Sequence, residues 1–232
     1  MRMVDYTVAL PAYREEENLR LLLPRIHDAF KQVQSTYEIL VLDTVQPLDA
    51  TEKACAQLNA RYIKRNPTNS FGDAVRTAIK EAQGKAIIFM DADGSHGPEW
   101  IPKLIAESHT NDLVIASRYI EGGDTENTSS LILMSKVLNF SYSLILNLKV
   151  KDVSNSFKLY KTDLLKNLKL KCQNFDIIEE ILFKIKWYNP NVRIKEIPFT
   201  FKARMFGRTK RNLAWFMITY LFTMIRLRFF SW

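Results

Sequence analysis

Ile87-Ile88-Phe89-Met90-Asp91-Ala92-Asp93-Gly94-Ser95-His96 decides the fold: an apolar strand stops abruptly at two carboxylates held one residue apart. Residues two apart on a strand share a face, so the tip presents Asp91 and Asp93 near one point. A divalent cation can bridge such a pair to a diphosphate. The same spacing also serves as a cap and turn into a following helix, and the surrounding sequence has to discriminate.

Upstream, Tyr6 to Leu10 reads as a first strand, and Pro11-Ala12-Tyr13-Arg14 turns it into a helix with Glu15-Glu16-Glu17 near its amino end. Acidic groups favour that end of the helix dipole. Leu19, Leu22, Leu23 and Ile26 supply an apolar helical face, which Pro24 interrupts locally. Tyr37 to Leu42 is a second strand ending at Asp43, a Pro47-containing loop leads to a helix from about Ala50 to Leu58, and Tyr62-Ile63-Lys64 is a short third strand. Phe71 to Ala82 forms the next helix with Gly84 beyond its end, and Ala86 to Met90 the next strand.

Downstream, Pro98 to Ser108 reads as a helix and Asp112 to Ser117 as a strand, with Gly122 to Ser130 a polar, mobile loop. Leu131 to Leu148 is a long apolar helix, interrupted by Lys136, Asn139 and Asn147, that falls short of a membrane span and suits the wall of a groove. Extended pieces around Phe157 to Tyr160 and Val192 to Phe201 flank a helix from Ile177 to Trp187. Repeated strand-then-helix order predicts an α/β fold with a mostly parallel central sheet flanked by helices.

At 232 residues and 47% apolar, the chain can bury one substantial core. Cys55 and Cys172 lie far apart, which supports neither a metal cluster nor a disulfide framework and fits a reducing cytoplasm. The first strand begins almost at the amino terminus, leaving no room for a signal peptide, so the catalytic face is expected to be cytosolic. From Lys195 onward there are eight basic residues against only Glu196, which accounts for +7 of the net +8. Localised positive charge beside apolar sequence suits anionic lipid or phosphate better than nucleic acid.

That terminal region, Leu213 to Phe230, spans about 27 Å as a helix, marginal against a hydrocarbon layer of roughly 30 Å. Arg226 and Arg228 are costly at depth. Residues 213–232 therefore read as an amphipathic membrane-interface or subunit-docking helix, with Trp215, Tyr220 and Trp232 at the interface, following a catalytic domain over 1–212. A plain core-packing helix and a true span are the alternatives.

Several ordered segments together resemble the dolichyl-phosphate (polyprenyl-phosphate) mannosyltransferase branch of glycosyltransferase family 2, which uses the GT-A nucleotide-diphospho-sugar transferase fold. They are Ala9-Leu10-Pro11-Ala12-Tyr13-Arg14-Glu15-Glu16-Glu17-Asn18-Leu19, Phe71-Gly72-Asp73-Ala74-Val75-Arg76, and Met90 to His96. Ala116-Ser117-Arg118-Tyr119-Ile120-Glu121-Gly122-Gly123, Asp152 to Tyr160 and Ile197 to Phe201 continue the likeness, and Arg204-Met205-Phe206-Gly207-Arg208-Thr209-Lys210 fits the family's Arg-x-x-Gly-x-Ser/Thr-Lys end.

The resemblance implies an inverting, metal-dependent transfer of a hexose, mannose from GDP-mannose, to a polyprenyl (dolichyl) monophosphate at the cytoplasmic face of a membrane. It implies that Pro11, Ala12, Tyr13 and Glu15 frame the nucleotide, that Asp43 faces its base or ribose, that Gly72 and Asp73 touch donor phosphate or sugar, and that Asp91, Ala92 and Asp93 line the nucleotide-sugar. Asp93 and Ser95 approach Mg2+ or Mn2+, while Arg118, Arg204 and Lys210 bind the acceptor phosphate and act catalytically with Asp91 and Asp93. Peripheral attachment to the membrane surface, or docking on a small membrane subunit, completes the expectation; nucleic acid is not a partner.

Plainer readings stand beside these. Glu15 is also a helix-start residue, Tyr13 a packing aromatic, Asp43 a strand-end cap, Gly72 a turn, His96 a packed loop residue or a metal-proximal one, and the basic loop a solvated one. Alternatives for the whole are a UDP-glucose or other hexose transferase of the same fold, and a catalytically weakened membrane adaptor. Where the family carries adjacent aspartates after the second strand, this chain has Asp43-Thr44-Val45-Gln46-Pro47-Leu48-Asp49, and Asp49 substitutes only if the loop shifts. Asn155-Ser156-Phe157 replaces Ser-Gly-Phe, and in Phe175-Asp176-Ile177-Ile178-Glu179-Glu180 either glutamate is expected to orient a site loop.

Overall fold

The structure, a computed structural model, describes residues 4–206 and 213–230. The expectations for Lys210 and Trp232, and for the side chain of Trp215, lie outside the described residues.

A strand-helix alternation opens the chain: β1 (Val4–Pro11), α1 (Glu16–Lys31), β2 (Tyr37–Asp43), α2 (Thr51–Gln57), β3 (Arg61–Lys64), α3 (Phe71–Glu81) and β4 (Gly84–Phe89). After a short 3-10 turn follow α4 (Ile101–Ser108), β5 (Leu113–Ser117), β6 (Asp124–Thr125), α5 (Ser129–Ile145), β7 (Lys158–Lys161), α6 (Asp163–Lys166), α7 (Ile177–Tyr188), β8 (Ile194–Pro198), β9 (Thr200–Phe201) and α8 (Leu213–Phe230). Seven strands form one sheet in the order β3-β2-β1-β4-β7-β5-β8. All neighbouring pairs are parallel except those made by β7, which runs antiparallel between β4 and β5.

Continuous apolar strands are what a sheet covered on both faces requires. Ile87 and Phe89 face one core with α3 and α7, whereas Ile88 and Met90 face the other with α1 and α4. Each fully buried aliphatic side chain of this kind contributes roughly 1.5–3 kcal/mol. Pro24 does not end α1, because it sits on the exposed side of the helix, where water can serve the carbonyl its missing N–H leaves unpaired. Part of the segment read as a mobile loop is ordered as β6, paired with β9 in a two-stranded sheet.

The terminal helix shares the main core. Tyr220, Met224 and Leu227 of α8 are buried in the cluster that contains α3 and α7, and Tyr142 of α5 donates to the Tyr220 carbonyl at 2.6 Å. Tyr220 is thus a packing residue, 1% exposed, and not the interface aromatic expected from sequence. The opposite faces are apolar and open: Leu133, Val137, Phe140 and Leu144 on α5, and Leu221, Phe222, Ile225 and Phe229 on α8. Among the described residues no helix is long and apolar enough to cross a membrane.

Candidate active site

The tips of β1, β2 and β4 converge where parallel strands end and helices begin. Asp91 leaves β4 in a turn fixed by His96, whose Nδ1 accepts the Asp91 N–H at 2.9 Å. With Nδ1 an acceptor, the ring proton belongs on Nε2, which lies 3.9 Å from Asp91 Oδ2. His96 is fully buried, stacked on Phe157 at 5.0 Å and edged by Phe199 and Phe201. Burial holds its pKa below the ordinary imidazole value, so the ring is neutral. It shapes the acidic turn from beneath.

Asp93 points its two oxygens differently. Oδ1 accepts Ser95 Oγ at 2.5 Å and Ser95 N at 3.0 Å, while Oδ2 accepts Arg204 Nε at 3.1 Å. Burial pushes its pKa up, but the Ser95 donors and the Arg204 charge outweigh that and hold the carboxyl below its usual value. Ser95 is buried, with its hydroxyl proton committed to Asp93.

At the β1 and β2 tips, Glu15 is buried, with Oε2 on Asn18 at 2.5 Å and Oε1 on Arg204 at 3.0 Å. Desolvation raises its pKa. Asp43 is also buried and accepts Tyr62 OH at 3.0 Å; burial likewise raises its pKa. Pro11 and buried Ala12 continue the β1 tip, and Tyr13 beyond them is 42% exposed, open enough to meet a planar ligand.

Arg65, which carried no signal in the sequence, organises this end. It is buried and donates to the carbonyls of Ala12, Leu42, Asp43, Asn69 and Ser70, tying three loops together. Asp49 stands apart from that network: its oxygens accept Glu16 N at 3.1 Å and Thr51 N at 3.0 Å, so it caps α1 and α2. Asp73 likewise works locally, engaged by Thr68, Ser70 and Arg76. Gly72 is a close approach of chain to chain, because a Cβ there would lie 2.3 Å from the Cys172 carbonyl oxygen.

Arg118, just past β5, is held by Asp152. Its Nε and backbone N–H donate to Oδ2 at 2.8 Å each and Nη2 to Oδ1 at 2.7 Å, with a further bond from Nη2 to Ser154 Oγ at 3.0 Å. Desolvation opposes its charge, but Asp152 prevails and its pKa is raised. Both Nη1 hydrogens remain without a partner among the described residues.

The loop that carries Asp152 and Ser154 also carries Ser156, whose Oγ donates to Asp91 Oδ1 at 2.8 Å. Beneath it, fully buried Lys158 donates to the Val153 and Asn155 carbonyls. Desolvation lowers Lys158 to about 8 and raises its fully buried neighbour Glu179 to about 8. Of the two adjacent glutamates, Glu180 orients a loop, accepting Lys171 N at 2.9 Å and Cys172 N at 2.8 Å, whereas the Glu179 oxygens have no hydrogen-bond partner among the described residues.

A strap following β9 closes over the acidic turn. Lys202 N bonds Ser95 O at 3.1 Å, Met205 N bonds Asp93 O at 3.0 Å, and Phe206 N bonds Asn18 Oδ1 at 3.1 Å. Gly94 adopts φ +82°, a conformation in which any L side chain is strained, and the Met205 side chain of the strap packs over it. This register delivers Arg204 between Asp93 and Glu15.

The structure therefore brings Glu15, Arg204, Asp93 and Ser95 into one hydrogen-bonded group, and mounts Asp91 and Arg118 on the 152–156 loop through Ser156 and Asp152. Among the described residues no three acidic, histidine or cysteine side chains form a metal cluster. Asp91 and Asp93 nevertheless offer hard carboxylate oxygens, the donor type that Mg2+ and Mn2+ take alongside phosphate oxygens. The residues fit such an ion as a partial site completed by a diphosphate.

Residues 7–169 match the family model Glycosyl transferase family 2. The chain is 34% identical over 212 residues to a dolichol-phosphate mannosyltransferase of Pyrococcus furiosus, covering 88% of this chain and 58% of that one. It is 29% identical to an undecaprenyl-phosphate mannosyltransferase of Micrococcus luteus, covering 88% of this chain and 86% of the relative. Among solved structures, glucosyl-3-phosphoglycerate synthase from Mycobacterium tuberculosis in complex with Mn2+, UDP-glucose and phosphoglyceric acid superposes with a TM-score of 0.75 at 17% identity, over 97% of this chain and 80% of that one. The fold is that of the GT-A glycosyltransferases.

Proposed function

The chain belongs to glycosyl transferase family 2, and on that premise we propose that it transfers mannose from GDP-mannose to a polyprenyl (dolichyl) monophosphate with inversion at the anomeric carbon. The relatives named above are called mannosyltransferases of dolichol phosphate and undecaprenyl phosphate, which supports both the sugar and the acceptor class. One observation carries the reading furthest. The loop from Asp152 to Ser156 grips Arg118 at one end and Asp91 at the other, so a cation for the acceptor phosphate and a carboxylate for the donor are mounted on a single element.

In this scheme an oxygen of the acceptor phosphate forms the new bond to the anomeric carbon. The bond from that carbon to the β-phosphate oxygen breaks, and its electron pair leaves with the nucleoside diphosphate. Because the attacking group is already an anion, no strong protein base is needed; alignment and neutralisation are the protein's share. Arg118 offers its Nη1 hydrogens to the acceptor, Asp91 orients the sugar, and Pro11, Ala12, Tyr13, Glu15 and Asp43 frame the nucleotide. Gly72 and Asp73 shape the donor side by fixing the start of α3. Asp93, with Asp91 beside it, would hold Mg2+ or Mn2+, and Ser95 would aim Asp93. The ion supplies neutralisation of the departing diphosphate when bound. Arg204 and Lys210 complete the phosphate clamp.

The open apolar faces of α5 and α8 support a peripheral seat on a membrane surface, where such an acceptor resides. Leu133, Val137, Phe140 and Leu144 recur at helical spacing and are each more than half exposed, an arrangement suited to an interfacial helix. On this reading α8 is an interface element mounted on the catalytic domain, at the cytoplasmic face.

A transfer assay on purified protein tests the proposal, using short polyprenyl phosphate, Mg2+ or Mn2+ and a panel of GDP- and UDP-hexoses, with products read by mass. A β-linked mannosyl lipid phosphate from GDP-mannose alone is expected. Transfer from a different donor replaces the sugar assignment, and transfer only to a saccharide hydroxyl replaces the acceptor class.

A further inference from the structure

On the flank of the sheet away from the acidic turn, a groove of about 410 Å³ runs between the second half of α3 and the α6 segment. Its floor is aliphatic, formed by Ile79, Leu165, Leu168 and Leu170, and its rim is cationic, formed by Arg76, Lys80 and Lys166. No carboxylate lines it. Lys80, Lys166 and the adjacent Lys169 are exposed, and none has an ion pair among the described residues. The mechanism proposed above uses none of these side chains.

Beneath the rim, buried Cys172 ties Arg76 to α8: its carbonyl accepts Arg76 Nη1 at 2.7 Å, and its Sγ meets Arg226 Nη2 of α8 at 2.8 Å. One helical turn beyond Arg226 stand exposed Phe229 and Phe230.

Part-exposed Leu168 and Leu170 beside the unpaired ammonium groups of Lys80 and Lys166 are complementary to an amphiphile with an anionic head. A soluble anion would make no use of the exposed parts of the two leucines, and a neutral lipid would leave the lysines without a partner. We propose that the groove between α3 and α6 binds an anionic phospholipid, the phosphate at Lys80 and Lys166 and the upper acyl chain along Leu168 and Leu170. It rests on the membrane-surface reading given above, and it would fix the rotation of the protein on the leaflet, so that Arg118 faces the same lipid surface each time it meets an acceptor.

The test is vesicle flotation of the full chain on phosphatidylcholine alone and on phosphatidylcholine mixed with phosphatidylglycerol. The wild type is expected to prefer the acidic vesicles, and the combined variant Lys80→Gln, Lys166→Gln and Lys169→Gln to lose that preference by about a hundredfold, at roughly fivefold per lysine. Its binding to neutral vesicles, its thermal unfolding and its transfer to a water-soluble short-chain acceptor are expected to be unchanged. As a second readout, a solvatochromic dye on Leu168→Cys is expected to shift to the blue on acidic vesicles and to be quenched by brominated acyl chains; native Cys55 and Cys172 are buried.

Retention of the acidic preference by the triple variant, or a dye that stays water-exposed, overturns the proposal. So does loss of the preference on adding inorganic phosphate or polyglutamate at protein-equivalent concentrations, which would identify a free-anion or an acidic-peptide site. If wild type floats with neither vesicle, the membrane reading fails and the groove with it. If flotation behaves as expected while no donor yields lipid-linked sugar, the groove stands and the transfer reading fails.

Discussion

Arg204→Ala is expected to strengthen Mn2+ binding while weakening catalysis, a pairing that few site mutations produce. Arg204 Nε lies 3.1 Å from Asp93 Oδ2 and Nη2 lies 3.0 Å from Glu15 Oε1. Unit charges about 3 Å apart attract by roughly 5 kcal/mol at an effective dielectric of about 20. The Arg204 side chain is 29% exposed, and screening and lost side-chain freedom reduce the net to about 1–2 kcal/mol for the two contacts together. A cation that takes Asp93 Oδ2 must overcome that amount. Removing the guanidinium should therefore tighten Mn2+ binding about 5- to 30-fold, measured without nucleotide by the electron paramagnetic resonance of free Mn2+.

Transfer should fall in the same variant, because the proposed phosphate clamp then loses one of its charges. Arg204→Lys keeps the charge but not the planar fork that gives each carboxylate its own nitrogen, so its Mn2+ affinity should lie between the two. Unchanged or weaker Mn2+ binding in Arg204→Ala would refute the reasoning: either Asp93 does not hold the ion, or the guanidinium does not compete for it.

Three further outcomes follow from particular contacts. Glu179 has a pKa raised from 4.5 to about 8 by burial, so the native state keeps a proton that the unfolded chain releases; its contribution is fully present below about pH 4.5 and fades as pH rises towards 8, by at most about 5 kcal/mol. Urea unfolding of wild type between pH 5 and 7.5 should show that slope and Glu179→Gln should lack it, and parallel slopes would exclude the buried-proton account. Ser156→Gly removes the 2.8 Å donor to Asp91 Oδ1 and should lower kcat/KM for the donor about five- to tenfold, from a partly exposed hydrogen bond to a charged group, with no change in melting temperature. Gly72→Ala places a Cβ 2.3 Å from a backbone oxygen that has little room to retreat, and should destabilise by about 1–3 kcal/mol, seen as a lower denaturation midpoint.

The strands were legible because a sheet buried on both faces needs runs such as Ile87-Ile88-Phe89-Met90, and the acidic turn was legible because those runs end where chemistry begins. Pairing partners were not. Nothing within Phe157 to Tyr160 says that β7 inserts antiparallel between β4 and β5, since register depends on strands distant in sequence. Arg65 and Lys158 were missed for a related reason: a basic residue in a polar-looking segment reads as solvated, and only the assembled fold surrounds it with backbone carbonyls. Tyr220 was misread because an aromatic in an apolar, arginine-bearing helix suits an interface and a core equally, and the choice depends on where Tyr142 lies.

The two arginines of the site differ in a way that assigns them different tasks. Arg118 is gripped by a buried carboxylate through three hydrogen bonds, so its orientation is set before any ligand arrives and its free Nη1 edge is a fixed feature of the cleft. Arg204 rides on a strap anchored mainly by backbone bonds to Asp93 and Ser95, and its partners are the very carboxylates that a donor complex would need. A fixed cation can hold an incoming phosphate in place at little cost in ordering. An exchangeable one can neutralise Asp93 and Glu15 while the cleft is empty, then turn to phosphate once those carboxylates are occupied. On the proposed function, the site would thus avoid a buried cluster of uncompensated acids in the free protein and a buried cluster of uncompensated phosphates in the complex, using a single guanidinium for both states.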